Sequence, residues 1–429
     1  MFSTKHHKHK TILFLVVSLL ALVYVISKGA IYYLDSYAFL DMRLNRSVLY
    51  SSFLKLYTTI FGSYFEWPVI CSQLLLILYG VYYAINSLDR IFDFNRISYI
   101  IILVMMLSPV FYWHLIANKL LSEALAYPLL LMVLGGSFNY AIYKRIKDLY
   151  AVVLILLLLL LCRGQFIVLV PLLLLGLILV SGRQVNKKQF FIGLVLLLLT
   201  SFINELITKS YNKVVHGYFV SNAMTYVHLV SADFYISESG NSDLFEDEDA
   251  QNYFKLVNAS LNAADLSREK VASKELDDQE FYDNNFSKIC NERVHEIGLN
   301  YFKNKGFNYY DQNIYLNALC KGMFPIMLKA NYKNRIKLFL KNFKTTYGGT
   351  KYLILFVMLF LLAIWKLRNS KDPFYTFVAL GFGFMLANNL LIAFVMYPNN
   401  RYTFYFDWLI FAVILILIEK SSLKQTVSK

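Results

Sequence analysis

Residues 146–182 read IKDLYAVVLILLLLLLCRGQFIVLVPLLLLGLILVSG, an apolar run broken once, at Arg163-Gly164-Gln165. The reading of that break decides the fold. As one helix the run would extend about 55 Å at 1.5 Å per residue, far beyond the ~30 Å hydrocarbon core of a bilayer. As two short spans joined by a tight turn it fits, and the placement of positive charge agrees. With two spans, short inner segments collect the basic residues of 5–10, Arg90, Arg96, Lys144, Arg145, Lys147 and those of 183–188, 366–371 and 420–429. Apart from one large loop, the outer segments then hold only Lys28, Arg43, Arg46, Lys55, Lys119, Arg163 and Arg401. With one span, every basic residue from Arg183 onward changes sides and the positive-inside rule fails.

Extended outward, the same reading predicts ten helical spans, at 11–31, 66–86, 97–113, 120–143, 146–162, 166–182, 190–207, 350–367, 374–396 and 403–419. Both termini are then cytoplasmic. In lipid the backbone must satisfy its own hydrogen bonds, so each span reads as a helix. Composition agrees: 58% of the 429 residues are hydrophobic and 16% charged, against about 25% charged in an average soluble domain. The predicted class is an all-α polytopic membrane protein.

The net charge of +14 follows the same logic. Between Thr208 and Thr350 there are 17 Lys/Arg and 17 Asp/Glu, so the remaining 25 basic and 11 acidic residues carry the whole excess. They flank the spans, and the large loop is neutral. A nucleic-acid-binding role is excluded on that ground, because it needs a basic face on a non-membrane domain. The basic, histidine-containing stretch at 5–10 reads as the inner flank of an uncleaved first span, since no small-residue cleavage site follows.

The chain therefore divides into an N-terminal membrane domain (1–207) with about seven spans and an outer loop at 32–65, an outer α-rich domain (208–349), and a C-terminal membrane domain (350–429) with three spans. In the outer domain the acidic run Asp243–Asp249 lacks the glycine and ligand spacing of a calcium loop and reads as a turn or helix start. Cys290 and Cys320 fall on the oxidising side, where a disulfide is one option; Cys71 and Cys162 read as small core residues.

Polar side chains in or beside membrane helices cost about 2.5–3.5 kcal/mol each at mid-helix, so each asks for a reason. Here they share a side. Asp35 and Asp41 follow the first span; Ser122 and Glu123 open the fourth, near His114 and Lys119; Arg163 and Gln165 occupy the turn after the fifth; Asn399, Asn400, Arg401 and Tyr402 precede the last. Singly, each has an ordinary reading as loop carboxylate, helix cap, snorkelling arginine or interfacial tyrosine. Four segments converging on one face is a stronger pattern.

In order along the chain, these segments resemble the GT-C superfamily of polyprenyl-phosphate-sugar-dependent glycosyltransferases, the group that includes protein O-mannosyltransferases and bacterial lipopolysaccharide-modifying enzymes. Asp35-Ser36-Tyr37, then Asn45-Arg46-Ser47-Val48-Leu49-Tyr50, is similar to the family's acidic first loop and its Arg-small-Pro-x-Tyr stretch, with Val48 in place of proline. Ser122-Glu123 is similar to the pair that opens a middle helix, Cys162-Arg163-Gly164-Gln165 to an arginine-led short helix, and Arg401-Tyr402 to the Arg-Tyr before the final span. The stretch from Ala330 through Leu340 matches where related chains carry a helix returning to the membrane.

The resemblance implies an inverting sugar transfer from a polyprenyl-phosphate donor lipid to a glycan, lipid or protein acceptor. Asp35 would be the base, with Asp41 as the second candidate because the family's paired acids are here Asp-Ser. Glu123 would position the sugar or the base. Arg401 and Arg163, then Lys119 and Arg46, would hold the donor phosphate, and Tyr37, Ser122, His114 and Tyr402 would position substrate. No cofactor is implied, and no ligand cluster calls for a divalent metal. The compact size favours a bacterial inner membrane, with the site on the periplasmic face, over an ER membrane. The competing readings are an O-antigen polymerase or ligase and a lipid-linked saccharide flippase. The flippase would place its polar residues at mid-membrane in repeated halves.

Overall fold

The computed structural model describes residues 4–111, 114–181, 187–272 and 277–427. Tyr112, Trp113 and Gly182, at the ends of two predicted spans, lie outside the described residues, as do Arg183 and Lys429. Among the described residues the chain is helical without a strand; its one β-bridge joins Ile31 to Lys119. Two compact units form: residues 1–207, 355–388 and 403–429 make the first, and 208–354 with 389–402 the second.

In the first unit the helices are α1 (Thr4–Lys28), α2 (Leu34–Leu40), α3 (Val48–Phe61), α4 (Glu66–Phe92), α5 (Arg96–Leu107), α6 (Glu123–Tyr143), α7 (Ile146–Cys162), α8 (Leu169–Ser181) and α9 (Lys187–His216), which continues beyond Ile207. At α6 every residue from Glu123 to Tyr140 is buried, the mark of a helix apolar on all sides and central in its bundle. Its contact with α4 needs glycine. A Cβ added at Gly80 would lie 2.7 Å from the Cα of Pro128, too close for any side chain without backbone movement.

The break in the opening run has a definite form. α7 ends at Cys162, Arg163 is extended (φ −150°, ψ 111°), and a 3₁₀ segment, Gly164–Val168, turns the chain into α8. Seven helices among the described residues are long and apolar enough to cross a membrane. This is fewer than the ten spans read from the sequence. The stretches at 97–113, 146–162 and 166–182 fold as shorter helices of 12, 17 and 13 residues, because 3₁₀ turns take up the ends of the first and third.

The second unit is built on α10 (Thr225–Ile236), α11 (Glu248–Ala263), α12 (Arg268–Ala272), α13 (Asp278–Ser287), α14 (Glu296–Asn304) and α15 (Tyr309–Thr345). Its core is aromatic: Phe234, Tyr253, Phe254, Tyr282 and Phe286 pack with Cys290 and Cys320. Both cysteines are buried free thiols, so the disulfide option is not taken. The acidic run starts a helix, with Asp247 capping α11 through a bond from the Ala250 amide (3.1 Å). α15 kinks at Asn331 (φ −107°, ψ 15°), whose amide donates to the Ser237 hydroxyl (3.0 Å). The chain continues as α16 (Thr350–Asn369), α17 (Pro373–Val395), α18 (Asn400–Thr403) and α19 (Trp408–Val427).

Candidate functional site

At the end of the first unit where α1 finishes and α6 begins, loop segments are tied together by side chains reaching into backbone. The Asn118 amide donates to the carbonyls of Val25 (2.8 Å) and Gly29 (2.7 Å), closing the end of α1. Ile31 pairs with this strand-like segment through Ile31 N to Asn118 O (2.8 Å) and Leu120 N to Ile31 O (3.0 Å). From α4, the Gln73 amide donates to the Ala117 carbonyl (2.8 Å) and its oxygen accepts from the Tyr50 hydroxyl (2.8 Å). Buried Gln73 and Asn118 thus hold the loop that carries His114 and Lys119.

On this frame lie two carboxylate–guanidinium pairs. Glu123, the first residue of α6, meets Arg163 of the α7–α8 turn (Oε1–Nη1 2.8 Å). The Glu123 side chain is buried and that of Arg163 nearly so, at 5% and 10% exposure. The first turn of a helix suits an acid, but the Glu123 charge is directed at this pair. Arg163 Nε also donates to Gln165 Oε1 (2.9 Å), and the Gln165 amide donates to Asn388 Oδ1 (2.9 Å). Adjacent to the pair, the buried Cys162 thiol donates to the Ser122 carbonyl (3.3 Å). A buried ion pair is kept only with further hydrogen bonds around it, and this four-residue chain supplies them.

The second pair is half-buried. Asp35 of α2 meets Arg46 (Oδ1–Nη2 2.9 Å), with exposures of 29% and 27%. α3 begins at Val48, and Ser47 provides the extended residue before it. The Arg46 guanidinium lies over the Phe39 ring (5.4 Å), and Phe39 meets Tyr50 edge-on (4.9 Å). The fully buried Tyr50 hydroxyl is held protonated, by burial first and then by the negative charge of Glu123. Tyr50 therefore links the surroundings of the two pairs.

Around them, Tyr37 is exposed and stacks on Tyr32 (5.5 Å), whose hydroxyl donates to Glu66 (2.6 Å). His114 stacks on Phe404 (4.4 Å), and burial, then Lys119, hold its imidazole below the usual histidine range. Lys119 lies over the Tyr33 ring (5.1 Å). Asp41 is different: it caps the end of α2 and pairs with Arg43 two residues on (3.0 Å), both more than 45% exposed. Arg401 and Tyr402 belong to the second unit, where the Arg401 amide donates to Asn399 Oδ1 (2.8 Å) and its guanidinium lies over Tyr402 (5.8 Å).

The structure thus brings Asp35, Arg46, Ser122, Glu123, Arg163, His114 and Lys119 to one end of the first unit. Sequence reasoning missed Gln73, Asn118 and Asn388 in this network. Gln73 and Asn388 fall inside predicted spans, so their polarity was a readable signal. In the second unit it also missed Asp233, fully buried 3.6 Å from Arg335. Arg335 donates to the carbonyls of Phe394 (2.7 Å) and Leu229 (3.3 Å).

Among the described residues no three His, Cys, Asp or Glu side chains gather as metal ligands. Chemically, a half-buried carboxylate can take a proton, and a guanidinium in the same loop cluster can steady an anionic leaving group. In comparisons with known proteins, no family model, no curated protein and no solved structure matches this chain.

Proposed function

We propose that the chain is a GT-C-type membrane glycosyltransferase, moving a sugar from a polyprenyl-phosphate donor to an acceptor hydroxyl by direct, inverting displacement. In this reading the chain crosses the membrane ten times with both termini cytoplasmic. The end of the first unit bearing Glu123 and Arg163 faces outward, to the periplasm in a bacterial inner membrane. The observation that carries the reading is the pair of carboxylate–guanidinium contacts, one buried and one half-exposed, contributed by the segments that hold the family-like residues.

The acceptor oxygen attacks the anomeric carbon as the bond from that carbon to the donor phosphate oxygen breaks. Asp35 takes the acceptor proton, and Arg46 holds its carboxylate in place. Polyprenyl phosphate departs with its negative charge steadied by Arg163, with Lys119 as a further cation for the phosphate. Glu123 fixes Arg163 and orients the sugar, while Tyr37, Ser122 and His114 shape the substrate position. Asp41 is the second candidate for the base. The acceptor is a glycan, lipid or protein hydroxyl.

The test is transfer and binding by the purified full chain with polyprenyl-phosphate sugars, using polyprenyl phosphate alone as the product-like control. Saturable binding of both lipids is expected, weakened in Arg163→Gln. Failure to bind either lipid would overturn the reading.

A further inference from the structure

At the opposite end of the first unit, a cavity of about 350 Å³ lies among α6, α7, α8, α9, α16 and α17. Along α6, Tyr140 is 17 residues from Glu123, about 25 Å at 1.5 Å per residue. The cavity is therefore separate from the paired carboxylates. It has the size of a small-molecule site, which runs to about 300–1,000 Å³, and its wall is mainly leucine. Leu175 and Leu361, which line it, are 59% and 57% exposed, so it opens sideways on the apolar surface of the bundle.

Two features give this cavity a chemistry. Ser137 and Tyr140, three residues apart on one face of α6, both line it and are each 6% exposed. Their hydroxyls have no hydrogen-bond partner among the described residues. Buried hydroxyls left so are costly, and a ligand in the cavity would supply what they lack. The second feature is the rim. Lining residues Ala141, Leu149 and Leu367 are within three or four residues along the chain of Lys144, Arg145, Lys147, Lys366 and Arg368. Of the two acids within the same reach of lining residues, Asp148 is already paired with Arg145 (2.8 Å) and Asp372, four residues from Thr376, with Lys420.

We infer that this cavity binds one acyl chain of an anionic glycerophospholipid from the leaflet on the side of the α6 C-terminus. The ester carbonyl accepts from Ser137 and Tyr140, and the headgroup phosphate lies at the basic rim. Basic pockets between membrane helices recognise anionic headgroups in this manner. A polyprenyl chain fits less well, because it is hydrocarbon throughout and leaves both hydroxyls unanswered. Gly176 supports the assignment. It interrupts an otherwise leucine-rich helix where glycine is unfavourable, and a Cβ there would meet nothing within 4 Å. Packing does not demand the glycine, and its effect is to widen the cavity.

The test is native mass spectrometry of the full chain after a delipidating detergent wash, with the retained lipid identified by fragmentation. One anionic glycerophospholipid per chain is expected. Gly176→Leu should lower its occupancy at least tenfold while keeping or raising the thermal midpoint in detergent. The volume-conserving double variant Ser137→Ala, Tyr140→Phe should lower occupancy severalfold, and decides the matter if Gly176→Leu does not fold. Retention of no lipid, of a polyprenyl lipid instead, or of the same phospholipid at the same occupancy in the variants would each overturn the inference.

Discussion

The two ends of the first unit each hold a buried ion pair of similar length, yet the pairs are built differently. At one end Lys10 of α1 meets Asp89 of α4 at 2.7 Å, with exposures of 6% and 2%. At the other, Glu123 meets Arg163 at 2.8 Å, with 5% and 10%. Asp89 also accepts from the Phe94 amide (3.1 Å), just past the left-handed Asp93 that ends α4. Its charge serves to close a helix and tie it to α1. Glu123–Arg163 instead extends through Gln165 to Asn388, and a half-exposed second pair stands in the same loop cluster. Burial and charge are alike, so neither marks a site. What differs is the neighbour: beside Lys10–Asp89 stands the exposed Asp93, 4.0 Å from Lys10, whereas the loop cluster at the Glu123 end holds a second carboxylate–guanidinium pair, Asp35–Arg46.

The largest effect should come from that carboxylate. In the proposed mechanism Asp35→Asn removes the proton acceptor and keeps the volume, so transfer should fall by about 100- to 10,000-fold, the usual range for a positioned general base. Donor-lipid binding and thermal midpoint should hold. A variant that keeps full activity would remove Asp35 from the mechanism.

The Lys10–Asp89 pair should behave in the converse way. Asp89→Ala leaves the buried Lys10 ammonium with only the exposed Asp93 carboxylate at 4.0 Å among the described residues, and breaking a buried pair costs up to about 3–5 kcal/mol. The expected outcome is a large drop in thermal midpoint, with unchanged turnover per folded molecule. Replacing both residues, Lys10→Met with Asp89→Leu, should restore much of the stability. If the double variant folds well but loses turnover, the division between the two ends fails.

How much of this was legible in sequence differs by level. The apolar runs and the break at Arg163-Gly164-Gln165 were readable, because an arginine in a leucine-rich stretch is too costly to leave in hydrocarbon and so marks a turn at the membrane face. The lengths of the helices were not, since 3₁₀ segments such as Ser108–Val110 and Gly164–Val168 have no hydropathy signature. Asp35, Glu123 and Arg163 were readable as costly polar groups, whereas their pairing was not. Arg46 and Asp35 are separated by a helix and a turn, and Glu123 and Arg163 by two helices. The role of Asn118 depends on two carbonyls at the end of α1, which no local pattern announces.

A third buried pair, in the second unit, extends the comparison to pH. Burial raises the Asp233 carboxyl to about 6 despite Arg335, and burial raises Asp283 to about 7. Between the unfolded carboxylate range and these values the folded state binds more protons than the unfolded one. The contribution of these two carboxyls to stability therefore falls as pH rises from about 4 to 7, whereas Asp249, Asp277 and Asp278, held low by hydrogen bonds and their lysine partners, contribute with the opposite sign at the acid end. For Asp233 the change is about 3 kcal/mol, at 1.36 kcal/mol per unit over a rise from 3.8 to about 6. Hydrogen exchange of α10 in the full chain, corrected for intrinsic rates, should show protection declining over that window. Asp233→Asn should flatten the lower part of the decline and Asp283→Asn the upper part. A pH-independent profile in the unmodified chain would show that neither carboxyl holds its proton in the folded state.

The smallest effect is expected at Asp41, and it separates the two candidate bases. Asp41 is 57% exposed at its side chain and paired only locally with Arg43. Exposed pairs contribute at most about 1 kcal/mol, so Asp41→Asn should move the thermal midpoint little. With Asp35 as the base, the same variant should leave transfer within about a factor of five, the rate equivalent of that 1 kcal/mol. A collapse of activity in Asp41→Asn with Asp35→Asn still active would move the base to the end of α2. The partly buried Asp35–Arg46 pair would then be a structural tie of the same kind as Lys10–Asp89.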